Sequence, residues 1–268
     1  MRGTSAQSQR QVVAAVEEAV GDSDAGVLGD ELFAVVDVLD SAPSLRRILT
    51  DPAAAEDAKV GLARSLFADK VSEATMVVLA ATAKQRWSSS RDIGDALETA
   101  GVIAHVLGAE RAGQLDEVED EMFRFGRVAH GNGELRAALA DRALPRTRKR
   151  DLVRSLLQGR STEHTVSLVS EAVVARQGSF EVTLARYGEL AAERRSQLVA
   201  LVRSAYDLDL DERERLAAAL ERTYGKPVHL NVVVDPSVLG GLAVQVGDEV
   251  IDATVSGRLH DAHRRLTG

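Results

Sequence analysis

The chain has 268 residues, a net charge of −8, 45% hydrophobic, 28% charged and only 3% aromatic residues, and no cysteine. That length can bury a core in one large domain or two modest ones, and the lack of cysteine excludes disulfides and thiolate metal sites and is compatible with a reducing compartment. The acidic balance and the scarcity of stacking rings argue against nucleic acid as a partner.

In chain order, the polar start "MRGTSAQSQRQ" lacks the apolar segment of a signal peptide. "RQVVAAVEEAV" then sets Val12, Val13, Val16 and Val20 on one stripe, which predicts a helix. "DELFAVVDVLDSAPSLRRIL" continues with Leu32, Val35, Val36 and Leu39 and breaks near Pro43. "AKVGLARSLF" repeats the pattern with Val60, Leu62, Leu66 and Phe67. The apolar run at residues 75–83 is too short to cross a bilayer, so membrane association has to come through partners. "GVIAHVLGAE", "LDEVEDEMFRFGRVA", "RKRDLVRSLLQG", "HTVSLVSEAVVARQG" and "SFEVTLARYGELAAERR" read as further helices, with Gly159 and Gly178 as stops.

After Arg195 the period changes. "QLVALVRSAY" is compatible with a strand. "DERERLAAALERTYG" predicts a helix capped by Asp211 with Glu214 as its box partner and ended by Gly225. "PVHLNVVVD" alternates, with Val228, Leu230, Val232 and Val234 on one face. Pro236 ends that strand. Gly240 and Gly241 permit a turn into a hairpin whose strands "LAVQV" and "EVIDATV" flank Gly247-Asp248, a two-residue type II′ turn. A phosphate cradle would instead open into a helix N-terminus. "SGRLHDAHRRLTG" closes the chain as a helix starting near Ser256.

The chain also repeats itself. With an offset of ninety residues, residues 44–75 align with 134–165 without a gap, giving twelve identities between Leu45 and Thr75. Chance supplies roughly two at average composition. The identities include Lys59 with Lys149 and Arg64-Ser65-Leu66 with Arg154-Ser155-Leu156. Outside that window Glu31, Phe33 and Arg86 match Glu121, Phe123 and Arg176. A period this long denotes two copies of a small helical domain. The expected architecture is mainly α: helical bundles of five or six helices at residues 1–99 and 100–195, then a small α+β domain at 196–268.

Three clusters were weighed as chemical sites. His260 and His263 share a helix face but have no third ligand, and no metal or cofactor is expected. "RTRKR" (residues 146–150) resembles a nucleic-acid patch, but the first copy has "EDAKV" there, and a solvated helix start or a contact for an acidic partner helix fits better. "DEVEDEM" carries carboxylates without a nucleophile, as surface helices often do. No hydrolase elbow, zincin or dinucleotide fingerprint is present.

The tail carries a resemblance. Val202, Ser204 and Ala205, then a helix and an apolar strand, then Asp235, Leu239-Gly240-Gly241, Gly247-Asp248, Val250-Ile251-Asp252, Val255 and Arg258-Leu259 follow in order. This stretch resembles the C-terminal part of the delta subunits of bacterial F-type ATP synthases, relatives of the mitochondrial oligomycin-sensitivity-conferring protein. The second helical copy is similar to that family's N-terminal bundle, so the resemblance covers residues 100–268, and residues 10–99 are an added copy, as in the longer actinobacterial members.

The resemblance implies a non-catalytic stator on the cytoplasmic face of the cell membrane, with the helical bundle binding an N-terminal helix of the alpha subunit and the C-terminal domain binding the stalk b subunit. It places the alpha-binding groove between the first and last helices of the second bundle, at Val102, Ile103, Val106, Phe180, Leu184 and Tyr187. The competing readings are a generic helical adaptor and a nucleotide-binding protein using the glycine-rich tail. The added copy would engage a second alpha N-terminus or brace the stalk.

Overall fold

The structure, a computed structural model, describes residues 3–252 except 22, 142, 175, 197, 207, 236, 237, 239, 240, 247 and 248. The chain packs as two compact units, Met1–Ala192 and Glu193–Gly268. The first contains α1 (Thr4–Ala19), α2 (Ala25–Ser41), α3 (Pro43–Leu49), α4 (Glu56–Phe67), α5 (Glu73–Lys84) and α6 (Asp92–Arg111). It continues with α7 (Leu115–Gly131), α8 (Gly133–Ala140), α9 (Arg146–Leu157), α10 (Glu163–Ala172) and most of α11 (Phe180–Ser196).

The ninety-residue repeat is visible helix by helix. Shifted by that offset, α2 and α4 coincide with α7 and α9 at both ends, and α3 and α5 fall on α8 and α10. α1 falls on α6, and α6 in turn falls on α11. The two copies therefore share α6, which closes the first bundle and opens the second. The boundary expected at 99/100 lies in the middle of this helix.

Sequence explains how one helix serves two cores. Fourteen of the twenty residues of α6 are buried, because Ala, Gly, Val, Ile and Leu surround it on nearly every side. Ile93, Ala96, Leu97, Ala100, Ala104 and Leu107 enter the first core, with Val12, Val16, Leu28, Leu32 and Leu39. Val102, Val106 and Ala109 enter the second, with Val118, Met122, Phe125, Leu168 and Tyr187. α2 crosses α6 at two glycines. A Cβ on Gly29 would lie 2.5 Å from His105 Cδ2, and one on Gly101 would lie 2.6 Å from Phe33 Cε1.

Several of the residues identical between copies start and stop helices. Glu31 accepts from Ser72 N (2.9 Å) and Oγ (2.7 Å), and Glu121 accepts from Thr162 N (3.0 Å) and Oγ1 (3.0 Å). Each carboxylate sits at the N-terminus of the copy's fifth helix, where orphan donors and the helix dipole favour a negative charge. Asp51 and Asp141 accept from Ala53 N and Ala143 N, both at 2.8 Å, in matching turns. Gly159, just past α9, and Gly225, at the end of α12, have φ of 73° and 68°, a conformation that suits glycine at helix ends. Gly178 precedes α11 rather than ending α10.

The second unit has β1 (Leu198–Ser204), α12 (Leu210–Tyr224), β2 (Val228–Val234), β3 (Leu242–Val246) and β4 (Glu249–Asp252), with sheet order β2-β1-β3-β4. β1 pairs parallel with β2 across the α12 crossover and antiparallel with β3, and β3 pairs antiparallel with β4. Ala200, Val202, Leu208, Leu220, Val228, Val244 and Val246 form its core, with Leu230 and Val232 packed against it. Val234, expected on the same face, is exposed at the strand end.

The α12 cap corrects the sequence reading. Asp209 is the N-cap, with Glu212 completing the box, rather than Asp211 with Glu214. "DLDERE" contains the Asp-x-x-Glu spacing twice, and buried Leu208 with Arg213 Nε donating to its carbonyl sets the helix entry two residues earlier. The helix expected from Ser256 lies outside the described residues.

Candidate functional site

The six residues expected to line a partner groove are placed differently from one another. Val102, Val106, Phe180, Leu184 and Tyr187 come together in the second core, all buried, with Phe180 edge-on to Phe125. Ile103 is half-buried and packs on the first core. Leu184 also lines an open groove of about 580 Å³ between α7 and α11. Tyr187 donates to Glu98 Oε1 (2.8 Å), and burial and that carboxylate hold its phenol well above its usual pKa, so it stays a donor.

The densest polar arrangement joins the two copies, and sequence reasoning missed it. Asp37 and Asp40 of α2 and Asp95 and Glu98 of α6 face Arg146 and Arg150 of α9, Arg176 and Arg186. Arg176 is buried and bonds Asp40, with Asp95 at 3.1 Å and Glu98 at 3.6 Å. Arg150 bridges Asp37 and Glu171, the latter at 2.7 Å. Burial alone would lower the Arg150 pKa, but the hydrogen bond with Asp37 and the charge of Glu171 outweigh it and raise it. Burial pushes Glu171 up to about 7 against the pull of Arg150. The readable signal was divergence between copies: "RTRKR" against "EDAKV", and Asp37 and Asp40 against Arg127 and His130. Within the basic run Arg146 and Arg150 are thus paired with carboxylates of the same chain, and Lys149 donates to Leu139 O.

Beside this array, His105 Nδ1 lies 3.2 Å from His164 Nδ1, and His105 Nε2 lies 3.3 Å from Asp30 Oδ1. Phe33 stacks on His105 with centroids 5.5 Å apart. Two facing ring nitrogens share one proton, so one ring must accept. Burial, then the neighbouring His105, lowers the His164 pKa. Burial pushes Asp30 up, but its contact with His105 brings it below the usual value.

In the tail motif, Asp235 N donates to Ser204 O (2.7 Å), tying the ends of β1 and β2. Gly241, at φ 83°, leads into β3, so this glycine serves a strand and not a phosphate-binding helix start. Val246 pairs with Glu249, leaving only residues 247 and 248 to connect β3 and β4, and Asp252 ends β4 opposite Ala243. Gly240, Gly247, Asp248, His260 and His263 lie outside the described residues. In "DEVEDEM", Glu121 is the buried cap described above and Asp120 pairs with Arg124 at 2.8 Å. Among the described residues no cluster of His, Cys, Asp and Glu could hold a metal ion, and no helix is long and apolar enough to cross a membrane.

Two fused helical copies with surface grooves, followed by a small mixed-sheet unit, define a helical scaffold. Residues 104–266 match the family described as ATP synthase delta (OSCP) subunit. The ATP synthase subunit delta of Streptomyces coelicolor is 47% identical over 266 residues, covering 97% of each chain. That of Thermobifida fusca is 43% identical over 269 residues, covering 100% of each. A chain of the Toxoplasma gondii mitochondrial ATP synthase hexamer aligns over 62% of this chain at 20% identity and a TM-score of 0.28, too distant to argue from. The chain belongs to the ATP synthase delta (OSCP) subunit family.

Proposed function

We infer that the chain is a peripheral-stalk subunit of an F-type ATP synthase. The observation that carries this is identity above 40% with ATP synthase delta subunits along essentially the whole chain, added copy included. The finer reading is a non-catalytic stator at the cytoplasmic face of the membrane that links alpha N-terminal helices of the catalytic head to the b subunit and resists rotor torque.

The physical design suits that task. A stator must transmit force without bending, and the shared α6, with fourteen of its twenty residues buried, makes the two helical copies one body instead of two beads on a linker. An alpha N-terminal helix is proposed to meet the second copy at α6 and α11. Given their burial, Val102, Val106, Phe180 and Tyr187 would act from beneath by spacing the helices, with Leu184 reaching the surface and the half-buried Ile103 turned to the first core. Helix-in-groove docking needs only apolar anchors at helical spacing. The b subunit is assigned to the C-terminal unit by the family resemblance.

Calorimetric titration with a peptide copying the N-terminal segment of the same organism's alpha subunit tests this. Saturable binding supports the reading, and its stoichiometry shows whether one helical copy or both are competent. No heat from a folded chain that also fails to join a delta-depleted synthase would reject it.

A further inference from the structure

The face that the first copy contributes to the junction has a repeat equivalent on the second copy. In the junction the first copy offers α2 and α6, and Phe33 from α2 is 5% exposed and belongs to the second copy's core. The equivalent helices of the second copy are α7 and α11, and the repeat places Phe123 where Phe33 stands. Phe123 is 65% exposed, beside the groove whose lining includes Met122, Gly126, Leu184 and Gly188. The side chain that plugs one copy into the next is thus repeated on a face where no further copy of the chain follows.

We propose that the α7/α11 groove, anchored by Phe123, receives an amphipathic helix of a neighbouring subunit; this rests on the stator reading above. The filled counterpart shows the kind of occupant, because α2 and α6 are met there by a helix, α10, through Phe33 and the His105–His164 contact. The open face has room for close approach, since a Cβ on Gly188 would touch nothing within 4 Å.

Its charges define the partner. The four carboxylates of the filled junction, Asp37, Asp40, Asp95 and Glu98, become Arg127, His130, Ala185 and Gly188. Glu119 and Glu181 also line the groove, so it presents both signs of charge. The matching helix carries small apolar residues over Ala185 and Gly188, carboxylates toward Arg127 and His130, and a cation toward Glu119 and Glu181. Stacking of whole chains through this face would be a heterologous contact that builds rings or filaments; the filled junction, where one helix is the occupant, favours a single helix of another subunit.

The test uses the chain reassembled with delta-depleted synthase. A photoreactive benzoylphenylalanine at position 123 is expected to join a helical, carboxylate-bearing segment of another subunit. An adduct with a second copy, with residues 193–268 of its own chain, or with nothing while the chain stays bound, overturns the proposal. Gly188→Leu fills the groove and improves helix propensity. It is expected to leave Tm unchanged or raised and to weaken reassembly by about tenfold or more, the size expected for blocking an aromatic anchor site. Unchanged affinity overturns the groove. If the unmodified chain does not bind the synthase at all, the stator reading itself fails and this proposal falls with it.

Discussion

α2 and α7 are the same helix twice: equal in length, equal in the carboxylate that caps a later helix, and opposite in what lies on their outer faces. α2 carries Asp37 and Asp40 and buries Phe33; α7 carries Arg127 and His130 and exposes Phe123. The difference teaches that the duplication kept what starts, stops and packs each bundle. What diverged is the surface that decides the neighbour.

The largest break in that comparison is at the paired arginines. Arg176 is buried among three carboxylates, whereas its repeat partner Arg86 is exposed. Arg176→Ala removes the cation those carboxylates share but leaves Asp40 with Arg46, Asp95 with Gln177 and Glu98 with Arg186, and is expected to cost about 2–3 kcal/mol of unfolding free energy, while Arg86→Ala stays within about 0.5 kcal/mol. Urea denaturation of both variants checks this, and equal losses would deny that the junction is asymmetric. Gly101→Ala, which forces a methyl against the Phe33 ring at the shared-helix crossing, is expected to cost about 1–3 kcal/mol in the same assay.

The caps sharpen the sameness. Glu31→Gln and Glu121→Gln each remove a carboxylate that accepts both a backbone and a hydroxyl donor, and each is expected to cost about 1–2 kcal/mol. Similar Tm losses for the two would show that the copies share one device. Asp209→Ala should cost about 1 kcal/mol, and Asp211→Ala close to nothing, in thermal melts of the whole chain.

The smallest effect is pH dependence at the histidine contact. With its folded pKa lowered, His164 binds fewer protons folded than unfolded. Its contribution is complete above the unfolded value near 6.5 and is lost as pH falls below it. Glu171, raised to about 7, acts in the opposite sense: its contribution is complete below its ordinary value near 4.5 and is lost as pH rises toward 7. Wild-type stability alone therefore mixes the two. The difference between wild type and His164→Asn should fall with acid below pH 6.5, and a flat difference would remove His164 from the junction.

Much of this architecture was legible because it lives in local chemistry. The 3.6-residue stripes marked the helices, alternation marked β2, and the strand-helix-strand order of the tail followed from the change of period. The repeat was legible because Glu31, Asp51 and Thr75 make the same turn and cap contacts as Glu121, Asp141 and Thr165. The sharing of α6 was not, since "DIGDALETAGVIAHVLGAER" satisfies two cores at once and no single stripe announces that. The α12 cap was misplaced because two Asp-x-x-Glu pairs overlap and only the packing of Leu208 chooses between them. The candidate groove residues are apolar positions on the two helices that the family resemblance points to, and five of the six are buried, as apolar positions on a packing face are; the exposed Phe123 and the unfilled Gly188 are marked only by comparison with their counterparts in the first copy.

Native-state hydrogen exchange along α6 tests the central claim, that one helix fuses the two copies, most directly. The account predicts that amides from Asp92 to Arg111 exchange as a single, most protected block of the helical unit, opening only when both copies unfold. Exchange of residues 92–99 together with the first copy and of residues 102–111 separately with the second would contradict it.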